Sequence, residues 1–356
     1  MPSFTDHHVH FLASAAARLS VDVTPARSPS ELVELISAAA PAGSAPAGSG
    51  WVRAWGYDDS FMTPARHPTR LDLDGAVPGR PVVVHHRSGH AAVLNSAALA
   101  EIGEPDHPDG VLFDRHDLLD RVPRLDPDAL ATAAAQVSRE WWRDGITAFT
   151  DATHTNGPGE LDLMSSWRAA GIIRQEVTAM VGRPSIGAVP GFGAMAGTVR
   201  VGPVKLMAPA PGPVAAAHAA GYPVAVHVVD VDALEATIDA LAASPAPDGT
   251  VDRIEHAALS LPDQVARVAA IGAMVVVNPS FLVHRRTKYE RDLSDVERPW
   301  MIRIGSWLRA GITVRAGSDS PVVPARPHEM IQAATAHPFD SSESITRAEA
   351  AGLLAP

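Results

Sequence analysis

The chain has no cysteine among its 356 residues. That absence excludes a disulfide framework, a thiol nucleophile and any thiolate-held zinc or iron–sulfur cluster, so a bound metal must be held by imidazole, carboxylate or a rarer ligand. Basic charge is also short: 29 Lys and Arg stand against 40 Asp and Glu, for a formal charge of −11. Recognition of nucleic acid needs a basic footprint, and neither the whole chain nor any local run supplies one. No uncharged apolar run approaches membrane-spanning length, and Met1 to His10 lacks the cationic and then apolar build of a signal peptide. The expectation is a soluble, cytoplasmic protein that acts on a small molecule. Lysine is nearly missing as well, since Lys205 and Lys288 are the only two and every other basic residue is Arg. Where arginine has taken over wherever a positive charge suffices, a surviving lysine points to amine chemistry that a guanidinium cannot supply.

What is present is a rhythm of short apolar, β-branched runs. They start near Thr147, Arg174, Gly202, Val224, Arg253, Met274 and Thr313, between 21 and 39 residues apart. Helix-like segments lie between them over 160–170, 231–243, 262–271 and 299–310, several ending at a glycine just before the next run (Gly171, Gly272, Gly311). A (β/α)₈ barrel repeats about every 31 residues. With Phe4 to His10 as the first strand, the fold class is α/β, a distorted (β/α)₈ TIM barrel over residues 1–356. Its first and second strands are separated by an insertion subdomain over residues 12–140. Within it, Ser28-Pro29-Ser30-Glu31 reads as a capping box opening a helix, and Arg80 to Arg87 as a strand. Residues 38–50 are Ala-, Pro- and Gly-rich and read as a surface loop. A doubly wound open sheet is the alternative, but no glycine-rich phosphate fingerprint follows any candidate strand.

Sixteen histidines take the place that cysteine leaves vacant. On a strand, His8 and His10 share a face and His7 points away. His227 and His256 fall on the fifth and sixth strands, and Asp319 follows the eighth, so ionisable side chains gather at one end of four strands. Singly, each His is more often a satisfied core or rim residue than a ligand, and an Asp after a barrel strand is often a helix cap; together they point to a metal site. Lys205 lies inside an apolar run, where an unpaired ammonium is expensive to bury. Arg315 has the strand parity of Asp319 and needs a buried acid partner.

The series Asp6-x-His8-x-His10, Lys205, His227, His256 and Asp319 resembles the amidohydrolase superfamily. Secondary motifs narrow the resemblance to its amidohydrolase 3 group, which includes YtcJ-like proteins and N-substituted formamide deformylases. These motifs are Trp55-Gly56-Tyr57-Asp58, Gly89-His90-Ala91 running to Asn95-Ser96-Ala97-Ala98-Leu99, Gly110-Val111-Leu112, Arg253-Ile254-Glu255-His256-Ala257 and Gly317-Ser318-Asp319-Ser320-Pro321-Val322. The resemblance implies two divalent ions, most commonly zinc. His8, His10 and Asp319 would bind the more buried ion, His227 and His256 the more exposed one, and Lys205 would bridge them as a CO₂-derived carbamate. It also implies hydrolysis of a C–N bond by a metal-activated water, with Asp319 moving the proton and His90 contacting substrate or the tetrahedral intermediate. A structural histidine is the other reading of His90.

Several features depart from the group. The flanking sequence that builds a small β-sandwich is expected to be absent, and with that surface uncovered a homodimer is the expectation. The segment after Lys205 is short and moves almost directly to the fifth strand, Val229-Asp230 stands where Gly-Asp is usual, and Val93 stands where Trp is usual. The alternatives are a mononuclear deaminase-type site on His8, His10, His227 and Asp319 with an unmodified Lys205, and a non-catalytic barrel that retains the metal site.

Overall fold

The computed structural model describes residues 3–39 and 50–356, so residues 40–49 of the expected surface loop lie outside the described residues. The chain divides into two compact units, residues 1–11 with 138–356, and residues 12–137.

The first unit is a nearly closed barrel of eight parallel strands. They are β1 (Phe4–Val9), β2 (Ile146–Asp151), β3 (Glu176–Gly182), β4 (Val199–Leu206), β5 (Val224–Val228), β6 (Arg253–His256), β7 (Met274–Val277) and β8 (Val314–Ala316), adjacent in that order. α-Helices separate most of them, while β3 and β4 are joined through a 3₁₀ turn (Arg183–Ser185) and a short strand (Met195–Ala196) that pairs antiparallel with β4. Strand β4 is buried at seven of its eight positions. Every strand start expected from the apolar runs falls within three residues of an observed one.

Two differences have clear causes. Residues 211–219 form a helix where a near-direct connection was expected; the segment carries two prolines and buries only Val214 and Ala217, so it has no apolar periodicity to read. The helix expected over 299–310 is cut down to Ile304–Arg309, because Ile302 adopts a left-handed backbone, φ 41°, which a helix interior does not admit.

The seam between β8 and β1 is closed by few bonds, and they run through the residues after β8. Asp319 donates its N–H to the His8 carbonyl at 2.7 Å, His10 N–H donates to the Ser320 carbonyl at 2.8 Å, and Val9 bridges Ser320 in parallel. Buried Asp6 adds a side-chain link, its Oδ1 accepting from Ser318 N–H at 2.9 Å and His8 N–H at 3.2 Å. Such close approach needs Gly317, where a Cβ would stand 2.5 Å from His8 Cβ and N.

The second unit is built on a five-stranded mixed sheet ordered Val21–Asp22, Val52–Tyr57, Val82–His86, Ala91–Leu94 and Val111–Phe113. Strand alternation sends Val82 and Val84 to one buried cluster, with Leu32, Ile36 and Leu73, and Val83 to another, with Trp51, Leu94, Leu99 and Leu118. The helix Pro29–Ala39 starts where expected, with Ser28 Oγ accepting from Glu31 N–H, although the Glu31 carboxylate reaches back to Arg27 N–H.

Much of the family-like signature in this unit does structural work. Asn95 Oδ1 accepts from Ala98 N–H, capping the helix Ser96–Glu101, and from Val82 N–H, while its Nδ2 donates to the Arg80 carbonyl. Ser96 donates its N–H and its hydroxyl to the two Asp74 oxygens. Gly110 has φ 78°, and a Cβ there would strike the Leu94 carbonyl.

Candidate active site

The site is assembled at the C-terminal ends of the barrel strands. Register puts Lys205 beside Ala225 on β5 and His227 beside Glu255 on β6. Paired residues of parallel strands share a face, so Lys205, His227 and Glu255 project to the same side of the sheet. His256 would have the opposite parity, but its backbone turns left-handed, φ 71°, and re-aims the ring into the cluster. Ala257 (φ 43°) and Asp319 (φ 62°) are also left-handed. Three non-glycine residues held in this region within one site mark a geometry that the surroundings enforce.

His8, His256 and Asp319 are buried and offer ligand atoms that all lie within 4.8 Å of one another. Asp319 Oδ1 is 3.5 Å from His8 Nε2 and 3.1 Å from His10 Nε2. The His256 ring centre lies 4.7 Å from that of His8 and 4.6 Å from that of His227. The closest triple therefore takes a residue from each half of the expected ligand partition.

The other ring nitrogens explain the orientation. His8 Nδ1 is 2.5 Å from Glu255 Oε2, and His10 Nδ1 is 3.0 Å from Thr153 Oγ1. His256 Nδ1 is 2.6 Å from Asn278 Oδ1, and the Asn278 amide donates to the Gly317 carbonyl at 2.9 Å, which fixes the oxygen toward His256. An acceptor on Nδ1 holds the proton there and leaves Nε2 with a lone pair. His8 and His256 thus present bare Nε2 atoms to Asp319.

Lys205 is 3 % exposed, and its Nζ has no hydrogen-bond partner. Burial drives its pKa down, despite the nearby Glu255 and Asp319 charges. Burial likewise lowers His8 to about 3 and lowers His256, keeping both rings neutral. Burial alone would raise Asp319, but the hydrogen bond from His10 and the neighbouring imidazoles hold it below the carboxylate range. Asp6 is raised to about 7, chiefly by burial. Neutral imidazoles with bare Nε2, an ionised aspartate and an orphaned amine form a donor set that fits a divalent cation.

Glu255, Thr153 and Asn278 were not singled out from sequence. A signal for the first existed, since Arg253 and Glu255 are two charges on one face of a buried strand; Arg253 Nε lies 2.7 Å from Glu255 Oε1. Arg315, expected to need a buried acid, is only half-buried and donates to the Val314 carbonyl, and no carboxylate among the described residues pairs with it. Glu255, the interior acid, is held instead by Arg253. His7 points away from His8, its Nε2 2.9 Å from the Ala355 carbonyl.

His90 belongs to the second unit, on the turn after Val82–His86. It is 43 % exposed at its side chain, with Nδ1 2.9 Å from Asp114 Oδ1. That unit also holds a second histidine–carboxylate group. His86 Nε2 lies 3.2 Å from Asp59 Oδ1 and 3.7 Å from Asp58 Oδ1, while His86 Nδ1 accepts from Ser88 N–H at 3.1 Å.

A barrel whose strand ends converge on imidazoles, an aspartate and a lysine defines the metal-dependent hydrolase class. The model of the amidohydrolase family matches residues 1–353, and the chain belongs to that family. It is 24% identical to the putative amidohydrolase YtcJ of Bacillus subtilis, over 94% of this chain and 72% of that one. It is 35% identical to the N-substituted formamide deformylase of Arthrobacter pascens over 109 residues, which are 30% of this chain and 20% of that one. Among solved structures, an uncharacterized metal-dependent hydrolase from Pyrococcus furiosus superposes with a TM-score of 0.73 at 22% identity, covering 99% of this chain and 81% of that one. Another, from Pyrococcus horikoshii, superposes with a TM-score of 0.75 at 18% identity, covering 98% and 79%. No helix among the described residues is long and apolar enough to cross a membrane.

Proposed function

We propose that this amidohydrolase-family protein hydrolyses a C–N bond of an amide, formamide or cyclic amide with a water activated by two divalent ions, zinc being the simplest choice. The observation that carries the reading is the aim of the buried rings: Nδ1 of His8 and of His256 is held from behind, so Nε2 faces Asp319. His8, His10 and Asp319 would hold one ion, and His227 and His256 the other. When bound, such ions lower the pKa of a coordinated water and polarise the scissile carbonyl.

Asp319 is ionised at neutral pH, so its Oδ1 can accept the proton released by the attacking water. The same oxygen returns that proton to the leaving nitrogen. Lys205 would supply a further anionic ligand as a carbamate: its neutral amine would add to the carbon of CO₂ and release one proton to solvent. Burial supports this step, because it disfavours the ammonium and leaves Nζ with a lone pair. His90 is proposed to contact the substrate.

The test is metal analysis combined with spectroscopy of protein incubated in isotope-labelled bicarbonate. Two ions and one carbamate resonance per chain are expected. One ion with a bare amine would favour the mononuclear deaminase-type reading, and no ion after zinc-replete purification would favour a non-catalytic barrel. A screen of N-formyl amines, N-acyl amino acids and cyclic imides then assigns the substrate class.

A further inference from the structure

The histidines of the barrel site are not held alike. Behind His256 stands a neutral acceptor, the Asn278 amide oxygen at 2.6 Å; behind His8 stands a carboxylate, Glu255 Oε2 at 2.5 Å. Glu255 is fully buried, and both its oxygens are engaged. Oε1 accepts from Arg253 Nε at 2.7 Å, and the same guanidinium donates to the His7 carbonyl at 2.8 Å. Arg253 thereby ties strand β6 to the backbone of β1 one residue before His8, although β7 and β8 separate these strands in the sheet. The carboxylate cannot swing away from His8 without leaving a buried guanidinium and a buried imidazole N–H unpaired.

A charged acceptor on Nδ1 raises the electron density at Nε2 more than a neutral one does, and partners behind metal-bound histidines are worth about 10–100-fold in metal affinity. We infer that Glu255 is a positioning residue that makes His8 a stronger donor than His256, so that the ion held by His8 binds first and more tightly. Arg253 is its anchor. The inference rests on the metal-dependent reading above, and it assigns to the Arg253-Ile254-Glu255-His256 segment a second function besides supplying His256.

The experiment is a titration of metal-stripped protein with Co²⁺, followed through its visible absorption, for the wild type, Glu255→Gln and Arg253→Gln. Glu255→Gln retains a neutral acceptor and so imitates the environment of His256. The tightest phase should weaken by about 10–100-fold in Glu255→Gln, with a changed Co²⁺ spectrum and the weaker phase within about twofold of wild type. Arg253→Gln, which keeps the carboxylate and loses only its clamp, should weaken the same phase less. Should Glu255→Gln fail to fold, the selective loss of that phase in Arg253→Gln decides. An unchanged tight phase in these variants overturns the inference and leaves the metal-dependent reading standing. Equal weakening of both phases also overturns it, because a generally loosened barrel behaves that way. A wild type that binds no Co²⁺ overturns both.

Discussion

The barrel and the second unit each gather a histidine and aspartate into a cluster of three possible ligands, and the two clusters differ in where the imidazole proton resides. In the barrel, Nδ1 of His8 faces Glu255 and Nδ1 of His256 faces an amide oxygen, so the protons sit at the rear and Nε2 is open toward Asp319. In the second unit, His86 Nδ1 accepts the Ser88 N–H. A neutral ring in that state carries its proton on Nε2, the atom that faces Asp58 and Asp59. The same pattern recurs at His107 and His337, whose Nδ1 atoms accept backbone N–H groups from Gly110 and Asp340. Proximity of imidazole and carboxylate is therefore a poor guide to metal binding, and the partner of the rear nitrogen is a better one. By this criterion the His86 ring has no bare Nε2 to offer beside Asp58 and Asp59, whereas His8 has one beside Asp319, as the proposed ligand set requires.

The largest expected effect attacks the barrel side. Asp319→Asn should lower kcat/KM by about 10²–10⁴-fold by removing the proton acceptor, while metal analysis still finds much of the metal; normal turnover in that variant would refute the proton-transfer role. Next, Asn278→Leu leaves His256 Nδ1–H without an acceptor and should weaken the less tight ion by about 10–100-fold in a chelator competition. An unchanged affinity would break the comparison at its premise.

The opposite arm is His86→Ala, which should leave metal content unchanged and cost about 1–3 kcal/mol in urea unfolding by emptying a buried, hydrogen-bonded site. Loss of an ion from each chain would show that the second unit binds metal after all. Asn95→Ala removes a helix cap and the bonds to Val82 N–H and the Arg80 carbonyl at the start of the strand Val82–His86, and should cost about 1–2 kcal/mol without touching metal affinity.

The last prediction concerns pH. The Asp6 pKa is raised from 3.8 to about 7 in the folded state, so the native protein holds a proton that the unfolded chain gives up. Its contribution to stability is complete below pH 3.8 and is lost as pH rises toward 7. In metal-stripped protein, Asp6→Asn should remove that decline, which unfolding curves across the interval would detect.

The barrel was legible because strands buried on both faces read as apolar runs, and their spacing matched one strand and one helix per repeat. The helix over 211–219 was not, since its alanines and prolines carry no periodicity and its packing alone defines it. Among site residues, strand parity was enough to separate His8 and His10 from His7. Parity alone would turn His256 away, because its left-handed backbone reverses the alternation; its place at the end of the sixth strand, with ionisable residues at the ends of three others, carried that assignment. Glu255 was quoted in the family motif around His256 and passed over, because its partner is 247 residues away in sequence. The motif around Asn95 presented the reverse problem: it reads as a functional signature, yet the bonds of Asn95 and Ser96 join a helix to a strand and to Asp74.

The seam between β8 and β1 also has a consequence for the order in which the protein is made. His8 and His10 leave the ribosome more than 300 residues ahead of Asp319, which they face. Between them lie every other proposed ligand and a second unit with two hydrophobic clusters of its own. Over that stretch of synthesis the two imidazoles wait for the Asp319 carboxylate. The proposed metal site would come into being only when the eighth strand closes the ring, so an ion captured there would report a finished barrel.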